Sequence, residues 1–437
     1  MVMLTKRLLV WAVRLGPGVL CCHAHTLPST LATFLRQSLA QHLVCSDESA
    51  ARLVDELLAV APEGSQNAFC QQQGRRVAHA LERDATLRRE LLDGDLSVSG
   101  VLAELDERQV SAKKMFDAIQ GHHAHLRTLV GQSEGGTAAS DWRAAIGDQD
   151  NLRRYAAAAD QIATREWTQQ GIDWCAAQAV DFFHEGGMAR LLRKEARQRT
   201  GSRWVSDEEK AAIESATAGL GAARAPIRLL DVGSCGSLFD GVDGLDVTAI
   251  DLCPKPGLPH VHQADFLALE VGPAGSPPVA EPHPEYPAGS LRRLAANSSD
   301  ALVMSLVLSY LPQPSLRAAM VAKARRLLRA PSPAEPLGAR GVLLIHETLA
   351  LDKKSHTQPL QSNVRAWVDA IERLGFVHLR HATLKRSHGL AFATRPLAAS
   401  ELDALLEEAS LPELLLRRET QYGDDAQPWQ RSGRGGE

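Results

Sequence analysis

Residues 227–236 read Ile-Arg-Leu-Leu-Asp-Val-Gly-Ser-Cys-Gly, an apolar run of strand length that ends in Asp231 and Gly233, where the chain must turn sharply. Glycine in such a turn lets the backbone approach a ligand lying beyond the carboxyl end of the strand, which is where open α/β sheets bind their ligands. A second run, Asp246-Val-Thr-Ala-Ile-Asp251, ends in a carboxylate about twenty residues after the turn, the distance at which an acid accepts hydrogen bonds from both hydroxyls of a ribose. The bland use of Asp251 is as a turn former ahead of Cys253 and Pro254.

His262-Gln-Ala-Asp265-Phe266-Leu267 follows where a third strand belongs. Asp265 there suits an adenine amino group and Phe266 suits the face of the base; the competing reading makes Asp265 a helix cap and Phe266 a core ring. Farther on, Asp300-Ala-Leu-Val-Met-Ser305-Leu-Val-Leu-Ser309-Tyr310-Leu-Pro312 is a buried strand with hydroxyls at its exit, so Ser305 is expected to face the ligand. The Asp/Asn-Pro-Pro-aromatic tetrad that holds a target nitrogen in many amino-group methyltransferases is missing, which leaves catalysis to positioning and electrostatics. His346, Glu347, His356 and His388 are the available general bases, and with no recognisable partner each reads as structural. These glycines and acids serve a dinucleotide as well as S-adenosylmethionine. The lack of a complete G-x-G-x-x-G weakens a pyrophosphate cradle and shifts weight toward the methionine-type cofactor.

The elements that must position these residues alternate. Strand-length apolar runs at 227–232, 247–251, 301–309 and 342–346 are separated by helical spacing at 316–328 and 364–374, which predicts a largely parallel sheet covered on both faces within an α/β domain over 225–396. Two stretches rich in Pro, Gly and Ala, 272–290 and 330–341, are expected as surface loops. Upstream, 47–130 reads as a helical extension opened by a Ser46 cap, 131–140 as a flexible linker, and 141–200 as a helical lid domain. The lid's six large rings, Trp142, Tyr155, Trp167, Trp174, Phe182 and Phe183, are expected mainly in a packed core. His122, His123 and His125 fit a solvated helix face better than a metal cluster. Residues 397–437 read as a C-terminal helix followed by a polar tail.

A chain of 437 residues with 23% charged and 44% hydrophobic content is long enough for a full α/β domain and smaller units besides. A net charge of -4 argues against binding nucleic acid by bulk phosphate neutralisation, while leaving room for a local basic patch. The seven cysteines form no C-x-x-C pair, which suits free thiols in a reducing compartment and argues against structural zinc. No apolar run is long enough to span a bilayer. Residues 1–46 carry Lys6, Arg7, Arg14 and Arg36 and no acid, the bias of a mitochondrial presequence or of a disordered leader.

Taken together, Leu-Leu-Asp231-Val-Gly233-Ser-Cys235, Val-Thr-Ala-Ile-Asp251, Ala-Asp265-Phe266-Leu, Ser305-Leu-Val-Leu-Ser-Tyr310-Leu-Pro and Leu374-Gly-Phe376 resemble the SAMTOR family of S-adenosylmethionine sensors upstream of the TOR kinase complex, and its relatives, which include a fungal large-subunit ribosomal RNA adenine methyltransferase. The resemblance continues upstream through Trp142, Tyr155, Trp167, Trp174-Cys175 and Phe182-Phe183-His-Glu-Gly186-Gly187, and so covers about 142–394. It implies a class I S-adenosylmethionine-dependent methyltransferase fold, Rossmann-like, with a helical N-terminal region able to close over the cofactor. By carry-over Gly233 and Asp251 are the main cofactor residues, with Asp265, Phe266 and Ser305 lining the adenosine side. It further implies the GATOR and KICSTOR complexes as partners and a cytoplasmic setting for the sensor, or ribosomal RNA and the nucleolus for the fungal relative. The basic leader and the tail after Asp424 depart from the family's pattern.

Overall fold

The computed structural model describes residues 84–93, 97–130, 138–222, 225–255, 257–280, 290–348, 363–405 and 414–416, with isolated positions between 56 and 95. The basic leader 1–46, most of the linker 131–140, His356 and the tail after Asp424 lie outside the described residues. Two compact units divide between Lys114 and Met115.

In the first unit, α1 (Ala85–Asp93) and the start of α2 (Val98–Val130) bury Leu87, Leu91, Val98, Val101 and Leu102. Asp84 starts α1 by accepting from the Leu87 amide at 3.0 Å, which satisfies a donor that a helix N-terminus leaves open. Arg108 returns from α2 to the same Asp84 carboxylate at 3.1 Å.

The second unit is built on a seven-stranded sheet in the order β3-β2-β1-β6-β7-β9-β8. Its strands are β1 (Ile227–Val232), β2 (Leu245–Asp251), β3 (Val261–Gln263), β6 (Ala301–Ser305), β7 (Val342–Thr348), β8 (Phe376–Thr383) and β9 (Ser387–Thr394). The first five run parallel, and β9 enters antiparallel between β7 and β8. A parallel sheet reversed at this one place, with the strand order switching between β1 and β6, is the class I methyltransferase arrangement. Its ligand crevice lies at that switch point, beyond the carboxyl ends of the strands.

Alternation along the strands divides the core between two faces. Leu230, Val232, Leu302, Met304, Leu343 and Ile345 point to a cluster completed by α8 (Pro314–Leu327) and α9 (Asn363–Arg373). Ile227, Leu229, Val303, Val342 and Leu344 point to the other, completed by α5 (Glu166–Phe183), α6 (Gly187–Thr200) and α7 (Asp207–Ala222). Burial on both faces is why these strands read as near-continuous apolar runs. Each fully buried Leu or Ile contributes about 1.5–3 kcal/mol. α5 lies close on the sheet because two glycines remove side chains in its way. A Cβ on Gly171 would meet the His346 ring at 2.2 Å, and one on Gly389 would meet the Trp174 ring at 2.6 Å.

Over 273–280 the chain is irregular apart from one bridge, and a short strand pair flanks this expected surface insertion. β4 (Glu270–Gly272) pairs in parallel with β5 (Arg293–Ala295), and Val279 bridges back to Arg293. The reason is local: Glu270 and Arg293 form an ion pair at 2.9 Å, and Gly272 has no side chain to block the Arg293 stem. Residues 281–289 lie outside the described residues. Over 330–341 the chain is irregular, as expected, yet it sends Arg340 inward to a bidentate pair with Glu195 at 2.8 Å.

Candidate functional site

The first turn of the sheet is held in a conformation that its residues choose. Gly233 has φ +76°, and a Cβ there would stand 2.9 Å from Val307 Cγ2, so both backbone geometry and space exclude a larger residue. Cys235 and Leu306 adopt positive φ of 51° and 59° without being glycine, and both border the same cleft. Strain of this kind persists only where the surrounding structure fixes it. For Cys235 the fixing contact is plain: its amide donates to Asp251 Oδ2 at 2.9 Å. The Cys253 amide donates to Asp251 Oδ1 at 2.7 Å. Each carboxylate oxygen of Asp251 therefore has one lone pair engaged and one left over. Burial raises the Asp251 pKa, and the two amides oppose that rise.

The cleft that these residues border encloses about 1380 Å³ of empty space, open solvent at its mouth included. Gly233, Asp251, Asp265, Phe266 and Ser305, the five residues singled out in the sequence, all line it. Asp265 accepts from the Leu267 amide at 2.9 Å, and the Trp142 indole Nε1 donates to both of its oxygens at 3.3 and 3.4 Å. Phe266 is buried beside it, with the Lys323 ammonium 6.0 Å from the ring centroid. Lys323 donates to the Leu267 and Leu269 carbonyls, and burial draws its pKa down to about 8. Ser305 Oγ lies 3.0 Å from His346 Nδ1, and His346 Nε2 lies 2.9 Å from Ser387 Oγ. Burial lowers the His346 pKa to about 4, so at neutral pH the ring is uncharged and donates to one serine while accepting from the other.

Asp231 lines the cleft as well, and sequence reasoning quoted it only as a strand end. It is 2% exposed, its Oδ2 makes no hydrogen bond, and burial pushes its pKa up to about 7, with the nearby Asp251 charge adding to the rise. A buried carboxylate with an unsatisfied oxygen is costly unless something cationic or hydrogen-donating meets it.

Rings form the remaining wall. Tyr155 and Tyr310 pack with centroids 4.7 Å apart, and Trp142 meets Tyr310 edge-on at 5.7 Å. His122 stacks on Tyr310 at 5.5 Å and places Nε2 3.0 Å from its hydroxyl. The solvated-face reading of the histidines is thus corrected for His122, which is 3% exposed, while His125 is exposed. Among the described residues no group of three or more potential metal ligands occurs. The six rings of the helical segment also divide. Trp142, Tyr155 and Trp167 line the cleft, whereas Trp174, Phe182 and Phe183 pack in the core beneath α5. The signal that separates them is in α4 (Gln149–Ala163). Leu152, Tyr155, Ala156, Ala159, Ile162 and Ala163 form one helical stripe on the cleft, and its three alanines leave space where a core stripe would carry large side chains.

The other candidate bases are engaged elsewhere. Glu347 is fully buried and accepts from the Ser309 and Thr348 amides at 3.0 and 2.8 Å. His388 lies 3.0 Å from the His381 ring on the neighbouring strand. Behind Tyr310, buried Arg317 holds the single 3₁₀ turn Leu308–Tyr310 by donating to the Leu308 and Leu311 carbonyls.

No protein-family profile matches the chain. A curated zebrafish protein named S-adenosylmethionine sensor upstream of mTORC1 is 29% identical over 333 residues, covering 71% of this chain and 78% of its own length. The protein of the same name from Xenopus tropicalis is 26% identical over 302 residues, covering 65% and 71%. Among solved structures, an S-adenosylmethionine-dependent methyltransferase from Aquifex aeolicus aligns with TM-score 0.25 at 14% identity, covering 47% of this chain and 96% of that one. The 16S rRNA methyltransferase RmtF, solved with S-adenosyl-L-homocysteine, aligns with TM-score 0.25 at 13% identity, covering 65% and 98%. At those scores the fold assignment rests on the strand order and not on the alignments. By sequence, the chain is similar over about seven-tenths of its length to the S-adenosylmethionine sensors upstream of mTORC1.

Proposed function

We propose that the cleft binds S-adenosylmethionine and that the protein is a methyltransferase-like sensor of that cofactor. The observation that carries the reading is Asp251. A carboxylate at the end of the second strand, with both oxygens oriented by backbone amides and a lone pair free on each, suits two ribose hydroxyls. Three further features fit the group. The Cβ-free Gly233 leaves room for close backbone approach, and Asp265 with Phe266 suits an adenine. The unsatisfied Asp231 oxygen suits a ligand that carries positive charge. The cofactor when bound supplies an electrophilic methyl group on a sulfonium. In this reading Asp231 balances the ligand's charge, and Ser305, oriented by neutral His346, presents a fixed hydroxyl to the ligand. Segment 141–200 acts as the lid, since Trp142, Tyr155 and Trp167 come from it.

Equilibrium binding of S-adenosylmethionine to the wild type, Gly233→Ala and Asp251→Ala tests the site. Micromolar binding by the wild type with at least a tenfold loss in both variants is expected; equal binding by all three overturns the assignment. The sensing role extends the relatives' name, and the resemblance nominates GATOR and KICSTOR as partners. Co-precipitation of those complexes should change when S-adenosylmethionine is added, and capture indifferent to the cofactor removes the role. A second reading, transfer to a ring nitrogen of adenine in ribosomal RNA, is favoured by the half-buried Trp167 ring in the cleft wall, on which a base can stack. Loss of one methylated adenine on gene deletion supports it.

A further inference from the structure

A second cavity, with about 1020 Å³ of empty space including open solvent, lies at the other end of α5 from the cleft. The cleft touches α5 through Trp167, Thr168 and Ile172, and this cavity touches it through Gln178, Asp181 and Phe182. Its floor is apolar, made by Phe182, Leu191, Val342, Leu379 and Ala391. Its rim is cationic: Arg190 and Lys194 from α6 and Arg380 from β8.

The charges do not cancel within the cavity. Asp181 is its lining acid, and both of its oxygens are taken by Arg190 at 2.6 Å. Lys194 has no ion-pair or hydrogen-bond partner among the described residues, and Arg380 has a single long contact, 3.4 Å, to the Gln178 amide oxygen. The Glu372 carboxylate accepts from the His378 backbone amide and does not line the cavity.

The edge strand is bent to bring these groups together. Residues on a regular strand alternate between faces, so two consecutive side chains do not share one. Here Leu379 and Arg380 both line the cavity, because the pairing of β8 with β9 slips between His378 and Arg380, where Phe392 and Ala391 are adjacent partners, while the His378 ring stays on the opposite face against Phe392, 5.4 Å between centroids. A bulge of this kind re-aims side chains, and bulges concentrate beside functional sites.

We infer that this cavity is a binding site for a phosphate ester carrying an apolar body, separate from the cofactor cleft. A guanidinium from a strand and an ammonium from a helix provide donors from two directions, which suits the several oxygens of a tetrahedral oxyanion. The apolar floor takes the organic part. Because α5 borders both cavities, occupancy here acts on the same helix that carries Trp167 into the cleft.

The test is calorimetric titration of the full chain with phenyl phosphate and with inorganic phosphate, the cleft being saturated with S-adenosylmethionine. Saturable binding is expected, tighter for the ester, and weakened at least tenfold by Lys194→Ala and by Arg380→Ala. Both cations are exposed, so the variants are expected to fold, and equal thermal midpoints check this. As an independent readout, phenyl phosphate should shift the guanidinium Nε resonance of Arg380 and not that of Arg326. Absence of binding, binding unaffected by either substitution, or capture of an RNA oligonucleotide with no response to the ester would each overturn the assignment. Loss of ester binding with intact cofactor binding separates this site from the proposed cofactor site.

Discussion

The Trp142 indole donates to the Asp265 carboxylate across 123 positions of sequence, joining the helical segment to the loop after the third strand inside the cleft. Removing the donor leaves a buried acceptor short of a partner, which costs about 1–3 kcal/mol. Trp142→Phe should lower the unfolding free energy by about that amount in chemical denaturation. If adenine donates to the same carboxylate, saturating S-adenosylmethionine should recover part of the loss.

Asp231 and His346 respond to acid in opposite senses. The folded Asp231 holds its proton up to about pH 7 against an ordinary value of 3.8, so it contributes stability below about pH 4 that is lost as pH rises through 7. Asp231→Asn should therefore make the wild-type stability curve fall more steeply on acidification between pH 7 and 4. Urea titrations at half-unit pH steps read this directly.

His346, lowered from 6.5 to about 4, works the other way. Below pH 6.5 the unfolded chain takes up a proton that the folded ring refuses, so stability falls as pH drops toward 4 and then levels. A shift of that size corresponds to about 3 kcal/mol. His346→Gln should flatten the acid limb, and in the wild type the two groups partly cancel, so that each variant exposes the other's slope.

Proton release should accompany binding of a cationic ligand. A positive charge beside Asp231 favours its ionised form, so the affinity for S-adenosylmethionine should rise between pH 6 and 8 in the wild type and lose most of that rise in Asp231→Asn. Titrations in two buffers of different ionisation enthalpy measure the released proton.

Gly171 and His346 make a steric pair. Gly171→Ala places a methyl 2.2 Å from the imidazole and should destabilise the protein by about 1–3 kcal/mol or more, since the ring is walled in by two serines. The double variant with His346→Ala should recover part of the loss, and a double-mutant cycle gives the coupling.

The parallel strands were legible because burial on both faces leaves continuous apolar runs, and the place of Gly233 and Asp251 at one cleft because a turn glycine and an acid mark the ends of neighbouring strands. The short pair β4 and β5 was hidden, since three residues each carry no periodicity and their pairing depends on Glu270 meeting Arg293 across an insertion. Asp231 was visible as a residue but not as an unsatisfied one, a property of its surroundings. The cleft rings looked like core rings because aromatic side chains serve both uses, and His122 looked solvated because its neighbours Tyr155 and Tyr310 come from distant segments.

The two amides that grip Asp251 have a consequence for affinity. Rotation of the carboxylate is frozen by the Cys235 and Cys253 backbone during folding, so its vacant lone pairs keep one direction whether or not a ligand is present. A flexible acid would have to be immobilised at the moment of association, at about 0.5–1.5 kcal/mol for an ordered side chain. In the proposed reading, selectivity for a diol is set in the free protein, and a ligand lacking one hydroxyl would meet an oxygen that cannot turn away to find water.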